Sequence, residues 1–298
     1  MKPSTQAVFC SCFIALTSYL ASAEPWKINV NSNVATTMNL YSDSWTSGEA
    51  GSFTWVAQFL GVAEKQLIPQ LNSKTSLKLQ FGQTKIQDRE SKGWGSPKKS
   101  SDLIDFEELL RLTLGGWVDP FVSARVVSLF LDESDTTLTR YINPLDITEA
   151  AGISRTIINN GNIEWASRIG AAARQVVERN ALDTTDNTRF TDITNDGGVE
   201  FSMDFQANNT QNWASLHSSL TIYEALVSSK AEKTKGTPEE NDWRYPHIKW
   251  ENTVAITFAK YLMLNLSVFS YYDKEISDNL RIKQTMSAGV TYIYSNSR

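Results

Sequence analysis

The chain has 298 residues, with 28 lysines and arginines against 33 aspartates and glutamates, a formal net charge of −5 and 41% hydrophobic residues. This mild acidity argues against a general nucleic-acid partner. Its two histidines exclude a histidine-rich metal centre, and its two cysteines, Cys10 and Cys12, sit together near the N-terminus.

Residues 1–23 read as a cleaved secretory signal peptide. Lys2 supplies the positive start, Ala7 to Leu20 is apolar, and Ala21-Ser22-Ala23 has the small-x-small form cut by signal peptidase. The apolar run is short and broken by Ser11, Thr17 and Ser18, so a transmembrane helix is the weaker reading. Cys10 follows Ala7-Val8-Phe9, which is not a lipid-attachment context. The expected mature chain, 24–298, lacks cysteine, so it holds no disulfide, thiolate metal site or cysteine nucleophile. Losing Lys2 leaves 27 basic against 33 acidic residues, a net of −6.

Past the leader, no stretch approaches the ~18 apolar residues of a helical span. Period two recurs instead. Val199, Phe201, Met203 and Phe205 alternate with Glu200, Ser202, Asp204 and Gln206, and Leu262, Leu264, Leu266 and Val268 alternate with polar neighbours. One greasy face and one polar face is the strand signature. Twelve strands are predicted near 26–40, 52–66, 73–86, 102–117, 119–132, 146–158, 162–178, 196–209, 212–228, 246–259, 261–275 and 279–295. The sixth has no clean phase, because Gly152 interrupts it.

The connections alternate in length. Long polar ones are expected near 41–51, 87–101, 132–144, 179–195, 229–245 and 273–279, and short ones at 67–72, 117–119, 159–161, 209–211 and around Lys260. A soluble sandwich has no reason to sort its loops this way. An all-β antiparallel transmembrane β-barrel does, with short turns in the periplasm and long loops outside. The strands also reach the roughly 9–11 tilted residues that cross a bilayer. Aromatics gather at strand ends: Trp26, Trp117, Phe121, Trp165, Trp213, Tyr261, Tyr292 and Tyr294 on the periplasmic side, and Trp45, Phe53, Trp55, Phe130, Trp243, Tyr245, Trp250 and Tyr272 on the other. Two girdles are what interfacial aromatics produce.

The polar rows carry charge deep in the strands. Lys78, Arg111, Arg125, Arg168, Arg174, Lys249, Arg281 and Lys283 stand against Asp105, Glu107, Glu164, Glu200, Asp204 and Glu251. In a membrane barrel these residues line the lumen. Mixed signs there either pair into a plug or line a narrow aqueous path, since buried charges persist only when paired.

The last strand, Gly289-Val290-Thr291-Tyr292-Ile293-Tyr294, resembles the C-terminal insertion signal of bacterial outer-membrane barrels, with Gly289, Tyr292 and Tyr294 at the key positions. It is followed by Ser295 to Arg298 in place of a terminal aromatic. Ser44-Trp45-Thr46-Ser47-Gly48-Glu49 and the segment Asn143 to Ile153 resemble two signatures of a Bacteroidota and Chlorobiota barrel family, domain of unknown function 3078. That resemblance implies an outer-membrane barrel with no assigned activity.

Catalytic constellations are weak. His217-Ser218-Ser219 is similar to the His-x-Ser pair of an outer-membrane phospholipase family, but alternation turns His217 and Ser219 into the lumen, away from lipid. The spacing of His247 and Asp242 is not diagnostic of an omptin-like protease, and Asp183, Asp186, Asp192 and Asp196 lack the spacing of a calcium loop. The expectation is therefore a monomeric bacterial outer-membrane barrel without cofactor or metal. Its expected partners are outer-membrane lipid, the barrel-assembly machinery and a small polar solute. A narrow passive channel is the leading function, a plugged structural or surface-interaction barrel the second, and an outer-membrane hydrolase the third.

Overall fold

Alternation between apolar and polar side chains carries the chain into strands almost throughout. The structure, a computed structural model, describes residues 25–41, 50–88, 90–135, 137–183, 188–211, 213–259 and 261–296. The expected leader and the Ser44–Glu49 motif lie outside them. The strands are β1 (Lys27–Asn39), β2 (Ser52–Ile68), β3 (Leu71–Ile86), β4 (Lys98–Leu112), β5 (Asp119–Ser128), β6 (Leu131–Asp132), β7 (Arg140–Tyr141), β8 (Leu145–Asn159), β9 (Ile163–Leu182), β10 (Arg189–Asn208), β11 (Ala214–Ser228), β12 (His247–Ala259), β13 (Leu262–Asp273) and β14 (Ser277–Ser295). Twelve of them close into one antiparallel barrel in the order β1-β14-β13-β12-β11-β10-β9-β8-β5-β4-β3-β2, and β6 and β7 form a separate two-stranded ribbon. No described helix is long and apolar enough to cross a membrane.

Each barrel strand pairs with its sequence neighbours, apart from the β5–β8 step across the ribbon and the β1–β14 seam. At the seam Ala35 faces Gly289 and Val34 faces Val290. A Cβ on Gly289 would overlap the Val34 carbonyl oxygen, so this position needs a glycine for the strands to meet. Gly152 and Gly170 sit opposite each other on β8 and β9. A Cβ on either would overlap its partner strand's backbone. This close approach accounts for the residue that blurred the phase of β8.

The apolar rows face outward. Val34, Val122, Val199, Leu216, Val254, Leu266, Met286 and Val290 are all exposed. Trp26, Trp117, Trp213, Tyr261, Tyr292 and Tyr294 are exposed at the end that carries both termini, and Tyr245 and Trp250 at the opposite end. Two expected girdle members are not there. Phe121 and Trp243 are buried inside the barrel, Phe121 because it shares the inward parity of Arg125 and Trp243 because its loop folds in.

Two expected long connections are strand or tight turn instead. β9 and β10 each run 20 residues and stay paired to Leu182 and Arg189, shortening the 179–195 connection to 183–188. Lys274–Ile276 is a tight turn in which Asp273 accepts bonds from the Glu275 and Ile276 N–H groups. The β6–β7 ribbon props the long pair. Arg140 bonds Glu178 at 2.8 Å, Arg179 donates to the Tyr141 carbonyl at 2.8 Å, and Arg189 bonds Asp135 at 2.8 Å. Burial pushes the Asp132 carboxyl up, but bonds from Ser134 and Asn143 and the charge of Arg140 hold it below its ordinary value. Thr137 and Arg189 hold Asp135 lower still.

Candidate functional site

Register places the fourteen charged residues named above on the face opposite the apolar rows. Most meet partners there. Arg125 grips Asp105 with two bonds of 2.9 and 2.6 Å, one rung apart on β5 and β4. Arg168 on β9 pairs with Glu107 on β4. Arg174 grips Asp146 at 3.0 and 2.8 Å. Glu164 lies 4.0 Å from Lys74, and Asp204 accepts a hydrogen bond of 3.0 Å from the His217 ring. Arg111 donates to the Thr156 hydroxyl at 3.1 Å. Sequence reasoning missed Lys74 and Asp146. Lys74 shares the inward row of Lys78, a signal that was available; Asp146 opens β8, whose phase was unreadable.

One pair crosses the bore. Lys78 on β3 bonds both carboxylate oxygens of Glu251 on β12, at 2.6 and 2.5 Å. Those strands are five steps apart round the sheet in one direction and seven in the other, so the pair spans nearly the full diameter. Its side chains keep 29% and 30% of their accessible surface. Water therefore reaches this bar instead of being sealed away from it.

The lumen is filled unevenly. Along β5, β8, β9 and β11 the inward residues Phe121, Ala150, Ala172, Tyr223 and Ala225 are buried with Trp243 in one cluster. Trp243 belongs to a short 3-10 turn, Asp242–Arg244, in the β11–β12 loop. That loop is tied down by Lys230 on Glu275 (2.8 Å) and Lys233 on Asp192 (2.8 Å). On the other side, Leu60 of β2 and Arg281 and Lys283 of β14 point inward yet remain exposed. At the terminal end Glu164, Asp204 and His217 are about half exposed. A cavity of about 30 Å³ beside Arg125, Arg174 and Tyr223 has room for only one or two waters.

Among solved structures, the chain is similar to an outer membrane channel from Pseudomonas putida F1, with 14% identity over 94% of this chain and 98% of that one and a TM-score of 0.44. The beta domain of the Bordetella autotransporter BrkA shows 9% identity over 91% and 100%, with a TM-score of 0.37. The translocator domain of autotransporter NalP from Neisseria meningitidis shows 9% identity over 94% and 92%, with a TM-score of 0.34. No family model matches the chain, and no curated protein matches it, so the narrower resemblance to domain of unknown function 3078 gains no support from either.

His247, Asp273 and Glu275 gather at the end opposite the termini, with one ligand atom from each within 4.8 Å of the others. The imidazole divides its nitrogens between them, Nδ1 lying 3.3 Å from Asp273 and Nε2 3.8 Å from Glu275. Arg174 lies 3.1 Å from Nδ1, and Lys230 holds Glu275. Cations already occupy the approaches, so the group works as part of the charge network. His217 is spent on Asp204, while Ser218 faces outward and bonds Asn252 at 2.8 Å. Asp192 and Asp196 have separate partners, Lys233 and Ser228.

Proposed function

We propose that the chain crosses the bacterial outer membrane as a narrow channel for small polar solutes, with both termini in the periplasm. The location is supported by the exposed apolar belt, since a water-facing surface rarely leaves so much large apolar area bare. The channel reading is carried by the Lys78–Glu251 bar. It crosses the bore, yet it is a single half-exposed contact between two flexible side chains, flanked by the exposed Glu164, Asp204 and His217 at the terminal end. A dry plug would bury both charges. The residues that line the path are those of the inward rows, with Lys78 and Glu251 as its waist.

Planar-bilayer recording of the refolded protein tests this. Small stepwise currents are expected, growing severalfold in Lys78→Ala/Glu251→Ala, which removes the bar without leaving a lone charge. No stepwise current at any voltage in either protein would overturn the channel and leave the plugged barrel. Heat-modifiable migration on a detergent gel checks that both proteins are folded.

A further inference from the structure

The wet side of the lumen carries a basic and aromatic wall. Register sets two rungs across β12, β13 and β14: Lys249, Tyr271 and Arg281 in one, Glu251, Phe269 and Lys283 in the next. The Phe269 and Tyr271 rings stack at 6.1 Å. Arg281 lies 4.5 Å from the centre of the Tyr271 ring, and Lys249 lies 5.8 Å from it. Glu251, the one acid in these rungs, is taken by Lys78 from across the bore.

Among the described residues none of the three cations has an acid to itself. The carboxylate nearest Lys249 is Asp146 at 3.9 Å, which already receives two bonds from Arg174. Among the described residues Lys283 bonds the Ser100 carbonyl at 3.2 Å and the Ser101 hydroxyl at 3.4 Å, neither of them an acid. Among the described residues Arg281 has no ion-pair partner, its neighbour being the face of Tyr271. The acids further along, Asp273 and Glu275, are engaged by Tyr271 and Lys230. Arg281 and Lys283 are moreover exposed. A lumenal wall with surplus positive charge, on the more exposed half of the bore, concentrates anions by focusing the field between low-dielectric sides.

We propose that this wall binds small anions, of the inorganic phosphate or carboxylate class, and makes the pore anion-selective, with Lys249, Arg281 and Lys283 holding the passing ion. This rests on the channel reading above, and two measurements keep them apart. The first is the reversal potential across a potassium chloride gradient. Chloride is expected to be preferred over potassium by roughly tenfold, the lower end of such focusing. The ratio should fall towards one in Arg281→Gln/Lys283→Gln and invert in Arg281→Glu/Lys283→Glu. The second is calorimetric titration of the folded protein in detergent with inorganic phosphate, where saturable binding is expected and should be lost in the glutamine variant. A current without anion preference, or one that the variants do not alter, overturns the inference while the channel stands. Saturable phosphate binding without any current upholds the anion site and overturns the channel. Neither current nor binding overturns both.

Discussion

The Arg125–Asp105 pair offers a direct measure of how much the lumenal network contributes to stability. Asp105→Asn leaves the guanidinium with Nε and Nη2 facing a neutral group, in place of the carboxylate that it grips at 2.9 and 2.6 Å. Removing one partner of a buried pair costs about 3–5 kcal/mol. The side chains here keep 27% and 16% of their surface, so water softens the loss to about 2–3 kcal/mol. Arg125→Met should cost a similar amount. The double variant Arg125→Met/Asp105→Leu removes both charges together and should lose less than about 1 kcal/mol, because apolar replacement of a buried pair is often neutral. Equilibrium urea unfolding from phospholipid vesicles, followed by tryptophan fluorescence, reads all four corners of the cycle. If the double loss equals the sum of the single losses within about 0.5 kcal/mol, the pair is not coupled and the network account of the lumen is wrong.

Trp243→Ala should free the β11–β12 loop, with a local loss of about 3 kcal/mol, as for a buried tryptophan. Protease should then cut within 229–246 while the barrel survives; equal resistance in both proteins would refute the packed loop. Gly170→Val has no space for its side chain against the Ala151 carbonyl, so the barrel should not close, and a normal heat-modifiable band would contradict the close approach. The β6–β7 ribbon should loosen in acid. Asp132 and Asp135 have folded values depressed below the 3.8 of the free group, so their contribution is complete above about pH 4 and lost as pH falls through the lower folded values. Pepsin should cut within 129–144 at pH 2 and spare it at pH 4; cleavage that is equal at both would count against the bonded carboxylates.

Parity made most of the barrel readable. A residue's face follows from its place in the alternation, so Arg125, Arg174 and Glu200 could be put in the lumen without coordinates. Parity also shows its limit at Phe121. Composition suggested a girdle, whereas its even spacing from Arg125 turned it inward. Trp243 was out of reach for another reason, since nothing local signals which way a long loop folds. The partner of Lys78 was equally hidden. Alternation gives a side chain's face but not its direction across the bore, and Glu251 lies 173 positions further along the chain. Strand ends were least legible where polar residues continue the pairing, as Asp192, Thr194 and Asn195 do in β10. Their backbone bonds are the same as those of apolar residues, and only the side chains look like loop.

In the proposed outer-membrane orientation, the long β9–β10 pair bears on what approaches the cell from outside. Twenty residues at about 3.3 Å, tilted by about 40°, rise about 50 Å along the barrel axis. The apolar band of such barrels is about 25 Å tall, so the ends of these strands stand on the order of 20 Å clear of it. Held upright by the Arg140, Arg179 and Arg189 contacts, they form a stiff mast. An antibody or a phage tail fibre, too large for any bore, meets that mast first. In the proposed channel, what such agents recognise is therefore free to change without touching what the bore lets through.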